Sequence, residues 1–201
     1  DLRLAIEELR AACWLRLGRP AEALVELDRE PPASLSTTRQ FSRMALRAHA
    51  ATALGDSAGA QRLWQQVREM PTEVAAALGR LAVRAASTIV LDDAAAMQEL
   101  AALEERAAEL QFPSGQAVVR SCRAARHLAA GRAAAALDDV AALLAERERC
   151  RHRFVDEVEV LALCSRVLGA AGRAGEAMAL RAQAQAWLQQ DVVPRLPPDS
   201  L

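Results

Sequence analysis

The chain has 201 residues, of which 52% are hydrophobic and 25% charged, so it can bury a substantial core, and this composition disfavours intrinsic disorder. Its 25 basic and 26 acidic side chains give a formal net charge of −1, which disfavours a globally basic nucleic-acid-binding protein. Alanine and leucine dominate and tyrosine is absent, so intrinsic propensity favours an all-α protein.

Prolines and helix-capping residues divide the chain into ten predicted helices. Proline breaks helix interiors but fits the first turn, where Pro20 is expected. The predicted helices span residues 2–17, 20–29, 36–54, 56–69, 72–90, 92–110, 114–130, 132–148, 154–171 and 173–190. The predicted N-caps are Ser36, Asp56, Thr72, Asp92, Ser114 and Asp156.

Three of these helices carry an apolar stripe with helical spacing, which is typical of a face buried in a protein core. The three stripes are Ala60, Leu63, Trp64 and Val67; Ala96, Leu100, Leu103, Ala107 and Leu110; and Ala177, Leu180, Ala184, Trp187 and Leu188.

A turn residue followed five positions later by alanine recurs along the chain, at intervals of 36 to 41 residues. The turn residues are Gly18, Gly55, Leu91, Gly131 and Gly172, and the alanines are Ala23, Ala60, Ala96, Ala136 and Ala177. A small side chain early in the second helix allows two helices to approach closely. The pattern therefore predicts repeated helix hairpins.

On this glycine and alanine pattern the chain resembles tetratricopeptide-type (TPR-like) repeats, which consist of two antiparallel helices each. The resemblance implies a right-handed α-solenoid of about five hairpins, at about 1–30, 36–70, 72–110, 114–148 and 154–190. Residues 1–190 would then form a single domain, and 191–201 a proline-rich tail or the start of a linker.

The chain also resembles the helical-repeat regions of large multidomain bacterial signalling proteins, such as kinase or ATPase regulators. The ending "AQAWLQQDVVPRLPPDSL" carries part of that resemblance, and the chain looks excised from a longer one. The resemblance implies a non-enzymatic module for protein–protein interaction or for docking against other domains of the same polypeptide.

Catalytic, nucleotide and metal sites are not indicated by the motifs. Cys122 and His127 are five residues apart, which places them about 140° apart on a helix. Lysine is absent, which excludes a P-loop. We therefore expect no enzyme activity and no cofactor.

Cys150, His152 and Cys164, with Asp156, fit no standard zinc spacing, so no metal site is predicted. The acidic pairs Asp92–Asp93, Asp138–Asp139 and Asp156–Glu157 are interpreted as capping and solvated first-turn residues. With no CxxC pair, no apolar run of transmembrane length and no visible signal peptide, a cytoplasmic location is expected.

Four arginines in the first helices of successive hairpins are the candidate partner-binding residues: Arg10, Arg47, Arg84 and Arg123. If they face a groove, their guanidinium groups could bind the carboxylates of an acidic peptide. The alternative is that each stem covers apolar surface and each charged head lies in water. Two other functions remain open, namely a nucleic-acid-associated regulator with an arginine-lined groove and a self-association module.

Overall fold

The computed structural model describes residues 2–29, 36–70, 77–149 and 157–192, and these ranges contain helices and turns but no strand. The ten helices in them are α1 (Leu2–Arg16), α2 (Pro20–Leu27), α3 (Thr37–Ala53), α4 (Ser57–Glu69), α5 (Ala77–Ser87), α6 (Asp93–Glu109), α7 (Pro113–Ala129), α8 (Leu137–Arg149), α9 (Glu157–Ala170) and α10 (Ala174–Trp187). The predicted all-α class is thus confirmed for the described part of the chain. None of these helices is long and apolar enough to cross a membrane.

Two predicted N-caps are confirmed by their hydrogen bonds. The Asp56 carboxylate accepts from the Gly59 N–H at 2.9 Å, and the Asp92 carboxylate accepts from the Ala95 N–H at 2.9 Å. Each satisfies a backbone donor that lacks a partner within its helix.

The other predicted caps differ. Ser36 occupies the N-cap of α3, but its side chain makes no capping hydrogen bond. Ser114 is not a cap, because α7 already begins at Pro113 with Phe112 as its N-cap. Proline fits this first helical position because its missing N–H costs no helical bond. Thr72 and Asp156 lie outside the described residues.

Contacts between Cα atoms divide the chain into two compact units, Asp1–Ala96 and Met97–Leu201. In the first unit, α1 packs on α2, α3 packs on α4, and α2 and α1 both contact α3. Its largest buried side chain is Trp64, which is 1% exposed. In the second unit, α7 packs on α8 and α9, and α9 packs on α10, around a core that includes Leu143, Leu161 and Val167.

Four of the predicted turns share one backbone geometry. Gly18, Gly55, Gly131 and Gly172 all have positive φ angles, between 69° and 82°. In each turn the N–H that follows the glycine donates to the carbonyl five residues earlier, as Arg19 does to Trp14 at 2.8 Å and Arg173 does to Leu168 at 2.8 Å. This is the Schellman arrangement that ends a helix, and glycine enters the left-handed region without a steric penalty.

The predicted turn at Leu91 is built differently. Instead of a glycine turn, α5 runs into a short 3₁₀ segment, Thr88–Val90, and Leu91 is extended with ψ at 156°. A left-handed turn instead occurs between α6 and α7 at Gln111, which has a φ of 49°.

All five alanines of the predicted pattern are buried. Their exposed fractions are 0% for Ala23, 6% for Ala60, 0% for Ala96, 0% for Ala136 and 3% for Ala177. Close approach is visible between α9 and α10, where an ideal Cβ on Gly169 would lie 3.8 Å from the Cβ of Ala177. The predicted reason for a small residue, close packing of neighbouring helices, therefore holds at this position.

Candidate functional site

Two of the four candidate arginines lie at the C-terminal end of α2. Arg10 of α1 places its Nη2 2.8 Å from Oε1 of Glu26, and Arg47 of α3 places its Nη2 2.9 Å from Oδ1 of Asp28. Both arginine side chains are about half exposed, at 53% and 47%. Each guanidinium carries five N–H donors, so these contacts leave donors available.

Arg43 of α3, which is not among the four candidates, is buried near the same end of α2. Its Nη2 donates to the backbone oxygens of Leu27 at 2.6 Å and Arg29 at 3.1 Å, and its Nη1 donates to Glu7 at 3.2 Å. Positive charge at a helix C-terminus is favourable because the last carbonyls lack partners within the helix. Arg43 thereby joins α1, α2 and α3.

The signal that could have identified Arg43 is its spacing. Arg39, Arg43 and Arg47 are four residues apart and lie on one side of α3. Arg39 also pairs with α1, with its Nη1 2.9 Å from Glu8. Arginines of this region therefore form a row along α3, in addition to the candidate arginines that recur from one hairpin to the next.

Glu7 is an almost fully buried carboxylate in this group, with its side chain 5% exposed. Burial by itself would raise the pKa of Glu7, but hydrogen bonds and charges from Arg3 and Arg43 outweigh it and lower the pKa below the usual value. Glu7 is therefore ionised at neutral pH.

We call these residues the α2-end cluster. Its ion pairs form four groups: Arg3 and Arg43 with Glu7, Arg39 with Glu8, Arg10 and Arg29 with Glu26, and Arg47 with Asp28. Arg43 also donates to the backbone oxygen of Arg29. Among these described residues, arginines outnumber carboxylates. The excess positive charge and the half-exposed guanidinium groups of Arg10, Arg29 and Arg47 make this a surface suited to carboxylates.

Arg84, the third candidate, interacts with α4. Its Nη1 lies 3.4 Å from the backbone oxygen of Arg68, near the end of that helix. Arg68 in turn donates to the hydroxyl of Ser87, a buried side chain of α5. Arg84 thus contributes to packing between α4 and α5 and is less exposed than Arg10 or Arg47.

Arg123, the fourth candidate, lies in the second unit and bridges two carboxylates. Its Nε is 2.9 Å from Oδ2 of Asp139 on α8, and its Nη1 is 2.6 Å from Oε2 of Glu104 on α6. Glu104 also accepts from Arg120 at 2.7 Å. The pKa of the Arg123 guanidinium is raised, and its hydrogen bond to Asp139 contributes most to this shift.

Asp139 corrects one prediction. The acidic pair Asp138–Asp139 predicts a solvated first-turn position for Asp139, but its side chain is only 6% exposed. The carboxylate can be buried because Arg123 supplies the charge and the hydrogen bonds that water would otherwise provide. Arg123 is itself 20% exposed, so it is mainly a structural ion-pair residue.

The remaining nucleophilic and metal-ligating side chains form no reactive arrangement among the described residues. Burial raises the pKa of the Cys122 thiol to about 11 and that of Cys164 to about 12, so both thiols are protonated at neutral pH. The His49 ring packs edge-on against Trp64 at 4.7 Å. Within the described ranges, no three His, Cys, Asp or Glu side chains are placed to hold a metal.

The sequence singled out three further residues, Cys150, His152 and Asp156, which lie outside the described residues. No family model, curated protein or solved structure matches the chain. Function must therefore be inferred from the chain's own residues.

Proposed function

We propose that this chain is a non-enzymatic binding module that uses the α2-end cluster to dock an acidic segment of a protein. The observation that carries this proposal is that Arg10 and Arg47 present half-exposed guanidinium groups on neighbouring helices, close to the same end of α2. Arginine binds carboxylates through paired hydrogen bonds, which gives both charge and directional selectivity.

The ion pairs already present do not block such a partner. Arg47 pairs with Asp28, which is itself 55% exposed, and an exposed pair of this kind contributes only about 0–1 kcal/mol. A partner carboxylate can therefore replace Asp28 at little cost. At Arg10 the acceptor Glu26 is buried and stays in place, and the 53% exposed arginine side chain has further N–H groups that can donate to the partner.

The biological setting we propose follows the resemblance to TPR-like repeats. In this proposal the hairpins belong to an α-solenoid of a larger bacterial signalling or transcriptional regulator in the cytoplasm. The acidic segment then belongs to another protein or to another domain of the same polypeptide. The recurring glycine turns and buried alanines support a hairpin module of this kind.

The test is binding of a fluorescently labelled oligoglutamate peptide to the full chain, measured by anisotropy at low ionic strength. We expect the Arg10→Gln/Arg47→Gln double variant to bind at least about tenfold more weakly, since each charge-assisted hydrogen bond contributes roughly 1.5–3 kcal/mol. Arg62→Gln is the matched control, because Arg62 is an exposed arginine of α4 outside the α2-end cluster.

Two results would contradict the proposal. One is equal binding of the peptide by the double variant and by the control, with circular dichroism showing that both are folded. The other is a preference for a short oligothymidylate over the peptide, with steep salt dependence, which would favour the nucleic-acid alternative.

Self-association is a second candidate function, favoured by one observation. Leu2, Ile6, Leu9 and Cys13 are exposed on α1 at alternating spacings of four and three residues, and Leu2 and Leu9 are 77% and 66% exposed. This spacing is that of a coiled-coil seam, which buries its apolar residues against a second helix.

Light scattering over a range of concentrations tests this second candidate. If α1 mediates self-association, the molecular mass measured for the parent chain rises with concentration. The Ile6→Gln/Leu9→Gln variant should keep the mass of a monomer at every concentration. The control is Leu54→Gln, a change at an exposed leucine (49%) outside α1. A monomeric parent chain at all concentrations would rule this candidate out.

A further inference from the structure

A cleft of about 300 Å³ lies in the first unit, apart from the α2-end cluster. The α3–α4 hairpin and the 3₁₀ segment after α5 form its walls. The indole of Trp64 lies at the wall, and its Nε1 donates to the Thr52 hydroxyl at 3.3 Å. Thr52 in turn donates to the backbone oxygen of Ala48 at 2.8 Å, so this part of the wall is already hydrogen-bonded and fixed.

The described residues that line the cleft are all uncharged. Val90 packs against the core cluster that contains Trp64, and Ile89 is 56% exposed although it borders the cleft. An exposed branched aliphatic residue beside a buried indole leaves apolar area that a ligand can cover.

Two polar side chains also line the cleft, the hydroxyl of Ser57 and the carboxamide of Gln61, both on α4. Both residues are exposed, and they lie four residues apart, on the same side of the helix. Since Trp64 Nε1 is already bonded to Thr52, Ser57 and Gln61 are the neutral polar groups best placed to orient a ligand.

We propose that this cleft binds a small uncharged ring compound that carries one neutral hydrogen-bonding group, such as an amide or a hydroxyl. The volume suits a single ring with a short substituent, because a dry cavity of about 150 Å³ already accommodates benzene. The ring covers exposed Ile89 next to the buried Trp64, and the polar group bonds to Ser57 and Gln61. A charged ligand is disfavoured because none of the described lining residues is charged, so the cost of desolvating its charge is not compensated by them.

The experiment uses benzamide as the probe and benzoate as its charged counterpart, with the full chain labelled with ¹⁵N. The chain has three tryptophans, and the indole N–H signal of Trp64 is assigned from a Trp64→Phe variant. We expect benzamide to shift the Trp64 signal with a dissociation constant on the order of 1 mM. Signals from Trp14 and Trp187 act as internal references, because neither residue lines the cleft.

Two variants test the polar contacts. We expect Ser57→Ala/Gln61→Leu to weaken benzamide binding about tenfold, since two hydrogen bonds are lost. Gln66→Leu is the matched control, a change at another exposed glutamine of α4 that does not line the cleft, and it should bind as the parent does.

Three outcomes would overturn the proposal. These are an unmoved Trp64 signal up to the solubility limit of benzamide, benzoate binding as tightly as benzamide, and equal binding by the Ser57→Ala/Gln61→Leu variant and the parent. None of them bears on the acidic-partner proposal, because the probes are uncharged or lack the oligoglutamate chain and the variants lie outside the α2-end cluster.

Discussion

Replacing Gly172 by alanine should destabilise the protein, although there is space for the added methyl group. Gly172 has a φ of +82°, and an ideal Cβ at this position meets no heavy atom within 4 Å. The cost therefore comes from the backbone alone, because a left-handed conformation is unfavourable for alanine by about 1–2 kcal/mol. We expect the free energy of unfolding to fall by this amount.

Gly175 provides the matched control three residues further on. It lies in the first turn of α10 with ordinary helical geometry, and its added Cβ also meets no heavy atom within 4 Å. Alanine restricts the unfolded chain without a strain cost here, so Gly175→Ala should stabilise the protein by about 0.5 kcal/mol. The two substitutions are chemically identical and differ only in the backbone conformation of the site.

Urea unfolding followed by far-UV circular dichroism measures both effects. The two variants should differ by about 2 kcal/mol in the free energy of unfolding, with unchanged dependence on urea. A neutral or stabilising Gly172→Ala would refute the reasoning, since it would mean that the turn does not require a left-handed residue. A Gly175→Ala variant as unstable as Gly172→Ala would also refute it.

Three further predictions concern the ion pairs and the thiols. Arg123→Met should destabilise the protein by about 3 kcal/mol in urea unfolding because Asp139 is left buried and unpaired, and adding Asp139→Leu should recover most of the loss. The folded-state pKa of Glu7 is lowered from 4.5, so the stabilising contribution of its carboxylate is present above pH 4.5 and is lost as the pH falls through the folded pKa. The difference in thermal stability between the parent chain and Glu7→Gln should therefore become smaller when unfolding is measured at acidic pH. In a Cys150→Ser variant at pH 8, a thiol reagent should modify exposed Cys13 much faster than Cys122. The pKa of Cys122 is about 11, so only about one in a thousand of its thiols is a thiolate at this pH. Equal rates of modification would contradict this prediction.

The sequence by itself determined the helices and most of the turns. Pro20, the caps Asp56 and Asp92, and the left-handed glycines act within one or two turns of backbone. Interactions of such short range do not depend on the rest of the chain, so they can be predicted from local pattern. The five buried alanines were predictable as well, because each is a fixed distance from its turn.

Prediction from the local sequence was wrong at turns that are not formed by glycine. Gln111 adopts the left-handed conformation without being glycine, and the chain passes Leu91 through a 3₁₀ segment instead of a glycine turn. A polar residue tolerates the left-handed region at a modest cost, which neighbouring packing can offset. Neither feature leaves a distinctive signal in the sequence.

The candidate site shows the same division. The sequence identified Arg10 and Arg47, but only the tertiary structure placed both at the end of α2, buried Arg43 beneath them and paired Arg123 with a buried Asp139. The partners of these arginines lie 14 to 36 residues away along the chain. Whether a charged side chain is exposed or buried depends on which helices pack together, and that is set by the sum of distant contacts and not by any local spacing.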